Sequence, residues 1–240
     1  MRPEIEKIAR DFTEDIKKLY GKKLVSIFLY GSAAGEDYIP GKSDINFLVV
    51  LEEINVGDLD LYLKKRSKWE RKKVVTPLFL TEDYIRRSLD VFPIEFLDLK
   101  EKHVTLYGKD LLAELTIDPA NLRLQIESEI KGKLLRLRQS YMELEGKPKK
   151  VKKLLDIALS SLTPAFRNLL RLVGEEVPLS KPEILEKIAR RFALDPDLFG
   201  RWWRLKTGEM KASAAEIRKL FGDIHEEIEK LMDIVDGLKV

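Results

Sequence analysis

The stretch "SIFLYGSAAGEDYIPGKSDINFLVVLEE" (residues 26–53) sets a Gly-Ser pair at the end of one apolar run and an Asp-x-Asn at the start of the next. Side chains alternate faces along a strand, so Asp44 and Asn46 share one side while Ile45 and Phe47 share the other. Gly31 and Ser32 close the first run. Glycine permits backbone geometries in which successive N–H groups face an anion, and a serine hydroxyl adds a donor. The stretch therefore puts a candidate phosphate cradle beside a carboxylate.

On the N-terminal side, Ile5, Ile8, Phe12, Ile16 and Leu19 recur at the spacing of one helical face, with Pro3 suited to the first turn. On the C-terminal side, "VVTPLFL" (74–80) and "FPIEFLDL" (92–99) read with residues 24–30 and 45–51 as strands of one sheet. A helix near 57–71 and another capped by Thr81 lie between them. Beyond residue 118 the pattern changes to long helical periodicities: one helix through Ile126, Ile130, Leu134, Leu137 and Tyr141, and a second from 151 to 173 bent at Pro164. "SKPE" (180–183) and "SAAE" (213–216) carry the capping-box pattern, and Asp195-Pro196 starts a further helix. The expected division is an α/β (α+β) domain over 1–118 and an all-helical bundle over 119–240.

The chain has 240 residues, 44% apolar and 35% charged, the composition of a charge-rich globular protein. It contains no cysteine, which excludes disulfides, thiolate metal sites and cysteine nucleophiles. No run approaches the roughly 20 apolar residues that span a bilayer, and the charged N-terminus lacks a signal-peptide core, so a cytoplasmic location without membrane attachment is expected. The net charge of +3 does not by itself call for nucleic acid.

Glu95 sits among Ile94, Phe96 and Leu97, where a charge requires a compensating cation or hydrogen bond; Asp98 is its rival. At this point the residues resemble a family. "YGSAAGEDYIPGKSDIN" looks like the signature of the DNA polymerase β-type nucleotidyltransferase superfamily, and "FPIEFLDLKEKHVTLYGKDLL" is similar to its later strand carrying the third acid. An α/β domain followed by a helical bundle resembles the bacterial branch that includes the aminoglycoside nucleotidyltransferases. The resemblance implies a mixed nucleotidyltransferase-type sheet with flanking helices. It also implies Mg²⁺-dependent transfer of a nucleoside monophosphate from an NTP, with ATP the expected donor, to a hydroxyl on a small molecule or protein. It would make Gly31 and Ser32 phosphate holders assisted by Lys42 or Ser43, set Asp44 and Glu95 as the catalytic acids, and give the metal Asp44, Asn46 and Glu95. Relatives in this branch often pair, so a homodimer is an expectation too.

Asn46 departs from the pattern, which has an aspartate there. An amide oxygen can coordinate Mg²⁺ but brings no charge and bridges two cations poorly. The alternative is thus a catalytically weakened nucleotide-binding or regulatory module. Three other features read more simply as structure. The basic run "KKRSKWERKK" (64–73) is a solvated helix face rather than a nucleic-acid patch, and 184–206 is bundle packing rather than a DNA-reading helix-turn-helix. His103 and His225 have no second histidine at ligand spacing. Ser160, Thr163, Arg167 and Arg171 form a polar stripe that either looks at nucleotide or acceptor, with Arg167 as a binding residue, or faces water.

Overall fold

The first helix, α1 (Pro3–Tyr20), begins with proline in its first turn and buries Ile5, Ala9, Phe12 and Ile16 along one face. That face covers a sheet. The structure, a computed structural model, describes residues 2–35, 38–40 and 43–240. The chain divides into two compact units, Met1–Asp118 and Pro119–Val240.

In the first unit, β1 (Leu24–Tyr30), β2 (Asn46–Leu51), β3 (Leu78–Thr81) and β4 (His103–Gly108) pair in the order β3-β2-β1-β4. β1 runs antiparallel to β2 and β4, and β2 runs parallel to β3, which makes the sheet mixed. Ile27, Leu29, Phe47, Val49 and Leu51 face α1 and α2 (Val56–Glu70), where Phe12 stacks on Phe47 at 3.9 Å and meets Trp69 edge-on at 5.1 Å. Phe28, Leu48 and Val50 face the other way, toward Ile85 of α3 (Glu82–Arg87), Phe96 and Leu99 of α4 (Pro93–Glu101), and Leu112. Both faces are covered, so β1 and β2 are apolar on both sides, and each buried large side chain contributes roughly 1.5–3 kcal/mol.

The stretch 92–99 is not the strand its composition suggests. Pro93 opens α4, Phe96 N–H donates to Phe92 C=O at 3.1 Å, and Pro93, Ile94, Phe96 and Leu99 are the buried residues. The strand that completes the sheet is β4, the next segment along. Within 74–80 the regular pairing starts only at Leu78, although Val74 makes an isolated parallel bridge with Ile45.

The second unit contains α5 (Pro119–Glu143), α6 (Pro148–Leu172), α7 (Lys181–Arg191), α8 (Pro196–Thr207) and α9 (Ala214–Asp236). Their starts follow the sequence signals. Ser180 accepts from Glu183 N–H, Asp195 accepts from the Asp197 and Leu198 N–H groups, and Ser213 forms a full capping box with Glu216. α6 continues through Pro164 as one element. Its Leu155, Leu159, Phe166, Leu169 and Leu170 are fully buried, as are Ile126 and Ile130 of α5 and Ile224, Ile228 and Leu231 of α9. Among the described residues no helix is long and apolar enough to cross a membrane.

Candidate active site

β1 ends at Tyr30, which is paired with Asn46 on one side and His103 on the other. Gly31 then takes φ +74 and starts a short 3-10 turn, Gly31–Ala34. Such a φ strains any residue with a side chain. A Cβ on Gly31 would stand 3.4 Å from Asn46 Nδ2, so the amide of Asn46 lies against the bare face of the glycine. Asn46 is partly buried and Asp44 exposed, and the fully buried Ile45 between them is part of the opposite core. The alternation read from the sequence therefore holds, and Asp44 and Asn46 belong to the side of the sheet that carries Leu48 and Val50.

The cradle differs in detail from the expectation. Gly31 N–H donates to Lys102 C=O at 3.1 Å, so it is not available to an anion. The Ser32 hydroxyl makes no hydrogen bond among the described residues and is a donor the turn offers. Ser43 closes its own loop: its hydroxyl accepts from Ile39 N–H at 3.0 Å and its N–H donates to Ile39 C=O at 2.9 Å. Lys42 lies outside the described residues.

Glu95 is exposed in the first turn of α4 rather than in mid-strand. The helix packs its Phe96 and Leu99 against Phe28, Leu48 and Val50, so Glu95 and the Asp44–Asn46 pair lie on the same side of the sheet. The burial argument that singled it out fails, since a helix turns the charge to solvent between buried neighbours. Arg167 is half-buried on α6 in the second unit. The stripe it belongs to is not uniformly polar toward solvent, because Thr163 is buried and donates to Leu159 C=O.

Beside the turn is a brace that histidine spacing did not reveal. His103 Nδ1 donates to the carbonyls of Leu99 (2.8 Å) and Lys100 (3.1 Å), and its Nε2 faces Asp110 Oδ1 at 3.0 Å. Burial works against the charge of Asp110, but the Ala113 N–H and His103 outweigh it and hold the carboxyl below its ordinary value. The brace ties the end of α4 to the start of β4, next to the carbonyl that holds Gly31.

Among the described residues no three His, Cys, Asp or Glu side chains gather closely enough to hold a metal ion. Mg²⁺ needs only one or two carboxylates when a nucleotide supplies phosphate oxygens. The exposed Asp44 carboxylate and the Asn46 amide fit one nucleotide-borne Mg²⁺.

Spectinomycin adenyltransferase AAD(9) from Enterococcus faecialis, solved with ATP and spectinomycin, is 14% identical with a TM-score of 0.48, over 92% of this chain and 97% of its own. A nucleotidyltransferase-like protein from Exiguobacterium sibiricum 255-15 is also 14% identical with a TM-score of 0.48, over 95% of this chain and 75% of its own. No curated protein sequence matches. The family model of the nucleotidyltransferase domain matches residues 9–103, less than half of the chain, and that stretch runs from α1 through the Gly31 turn, Asp44 and Asn46 to Glu95.

Proposed function

We propose that the N-terminal unit binds an NTP, with ATP the expected donor, at the Gly31–Ser32 turn and transfers its nucleoside monophosphate to a hydroxyl of a small molecule or protein. The acceptor oxygen attacks the α-phosphorus, the bond to the bridging oxygen breaks, and pyrophosphate leaves. The observation that carries this reading is the Asn46 amide lying against Gly31, with the exposed Asp44 carboxylate two residues before it. Ser32 and the Asn46 N–H would hold phosphate oxygens, with Lys42 and Ser43 as further contacts. Asp44 and Asn46 would hold Mg²⁺, which when bound neutralises phosphate charge and lowers the acceptor's pKa. Glu95, on the same side of the sheet, would complete the acid set and receive the acceptor's proton.

The neutral side chain at 46 favours a second reading, an NTP-binding module with weakened transfer, because one carboxylate and one amide hold a second cation poorly. Two variants separate the readings, assayed by pyrophosphate release with Mg-ATP and by nucleotide thermal shift. Robust wild-type turnover that falls at least 100-fold in Asp44→Ala supports the enzyme. A wild type that binds Mg-ATP without turnover, and gains transfer in Asn46→Asp, supports the weakened module. Absence of both turnover and any thermal shift would remove the nucleotide site altogether.

A further inference from the structure

The helices α7 and α8 frame an open cavity of about 400 Å³ within the second unit, in the range of small-ligand sites. Its walls are fixed from behind. Trp202 is fully buried and its Nε1 donates to Leu155 C=O at 3.1 Å, and Lys206 Nζ donates to Asp156 C=O at 2.9 Å. Between the helices, Asp195 caps α8 while its own N–H donates to Glu227 Oε2 at 2.8 Å. The cavity is therefore preformed rather than a gap that closes.

Trp203 is the next residue along, about 100° further round the helix, and it lines the cavity only partly buried. Gly200 lies one turn before Arg204 in the interior of α8. A Cβ there would meet only Arg204 Nη1, at 3.9 Å, so packing does not require glycine at this position. A glycine inside a helix weakens it, and here its missing side chain leaves the cavity floor open. The same 3.9 Å shows the Arg204 guanidinium lying back along the helix toward that floor. Arg190 on the facing helix is paired with Glu186 at 2.7 Å, whereas Arg204 makes no ion pair among the described residues. Asp197 and Glu209, also in the lining, have carboxylates without an ion pair among the described residues.

An aromatic wall, an unpaired cation at an open floor and two unpaired carboxylates select a particular chemistry. We propose that the α7–α8 cavity binds a small aromatic anion bearing an amino group, with its ring on Trp203, its anion on Arg204 and its N–H groups toward Asp197 and Glu209. An aminated aromatic carboxylic acid and a purine nucleoside monophosphate share that chemistry. The site is distinct from the Gly31 turn and does not depend on nucleotidyl transfer.

The test is calorimetric titration of the full chain with 4-aminobenzoate and with AMP, alongside benzoate and inorganic phosphate as incomplete probes. At least one complete probe should bind saturably, at least tenfold tighter than either incomplete one, and the tighter of the two identifies the source. Gly200→Leu, which fills the floor, should weaken it at least tenfold without lowering the melting temperature, and Arg204→Gln should do the same. Ligand should also shield tryptophan fluorescence from iodide, because Trp69 and Trp202 are fully buried and only Trp203 is accessible. Lack of binding by both complete probes at millimolar concentration, or binding unchanged in both variants, overturns the proposal. So does binding that disappears in Asp44→Ala, which would assign the ligand to the N-terminal site.

Discussion

Glycines separate what the backbone requires from what composition merely permits. Gly108 takes φ +78, and a Cβ there would stand 2.0 Å from Val25 C=O, inside the β1–β4 pairing. Gly21 takes φ +51 with nothing within 4 Å. Gly108→Ala therefore combines backbone strain with a collision against backbone that must shift, and we expect a loss of about 3 kcal/mol in urea unfolding. Gly21→Ala, at φ +51 and ψ −121, should lose only the conformational part, about 1–2 kcal/mol. Equal losses would mean that the strand pairing yields freely and that the contact at Gly108 is not binding. At this scale the sequence also made legible the shared face of Asp44 and Asn46, because period-two alternation around a buried Ile45 depends on nothing outside the segment. It could not reveal that Gly31 N–H is taken by Lys102, or that His103 braces the turn, because both partners come from a different part of the chain.

Elements were legible where a local signal ends them and ambiguous where a short apolar run stands alone. The capped starts of α7, α8 and α9 follow from residues within three positions of each cap. "FPIEFLDL" is eight residues long, within the length at which periodicity alone does not separate strand from helix. Pro93 at the first helical position was the available clue, and "HVTLYG" just after it holds the β-branched and aromatic residues of the real strand. Caps also differ in strength. Ser213 has both halves of its box, at 2.7 and 3.3 Å, whereas Ser180 has one bond at 3.4 Å. Ser213→Ala should therefore cost about 1 kcal/mol and Ser180→Ala less, read as urea midpoints. A larger loss at Ser180 would contradict the geometry. Glu127 joins α5 to the end of α9: it accepts from Lys131 and from Arg123 at 2.8 Å, and Arg123 also donates to the Val235 and Asp236 carbonyls at 3.2 Å. Lys131 chiefly, against the opposing effect of burial, holds its carboxyl below the ordinary glutamate value. A depressed folded pKa means that this stabilisation is complete above the unfolded value, near 4.3, and is lost as pH falls through the folded value. Glu127→Gln should cost about 2 kcal/mol at pH 7 and less at pH 3, below the unfolded value, where the unfolded glutamate is protonated. A gap that stays constant between the two pH values would show that charge is not what Glu127 contributes.

Each of the two units carries fully buried side chains of its own, around β1 and β2 in one and among α5, α6 and α9 in the other. Each unit is near the size at which one core sustains a fold, about 100–150 residues. The change of pattern near residue 118 was visible because a sheet with both faces covered and a bundle impose different periodicities. Two cores need not unfold together, so a single all-or-none transition is not the expectation for the full chain. We expect calorimetry to resolve two transitions, and the fragment 119–240 to melt cooperatively with helical circular dichroism at the temperature of one of them. Gly108→Ala, which strains only the sheet, should lower the transition that the fragment lacks and leave the other in place. On the proposed nucleotide site at the Gly31 turn, Mg-ATP should raise that same transition, since a ligand stabilises the unit whose native state it binds. A fragment without a cooperative melt, or a Gly108→Ala chain in which both transitions move by the same amount, would mean that the two cores fold as one.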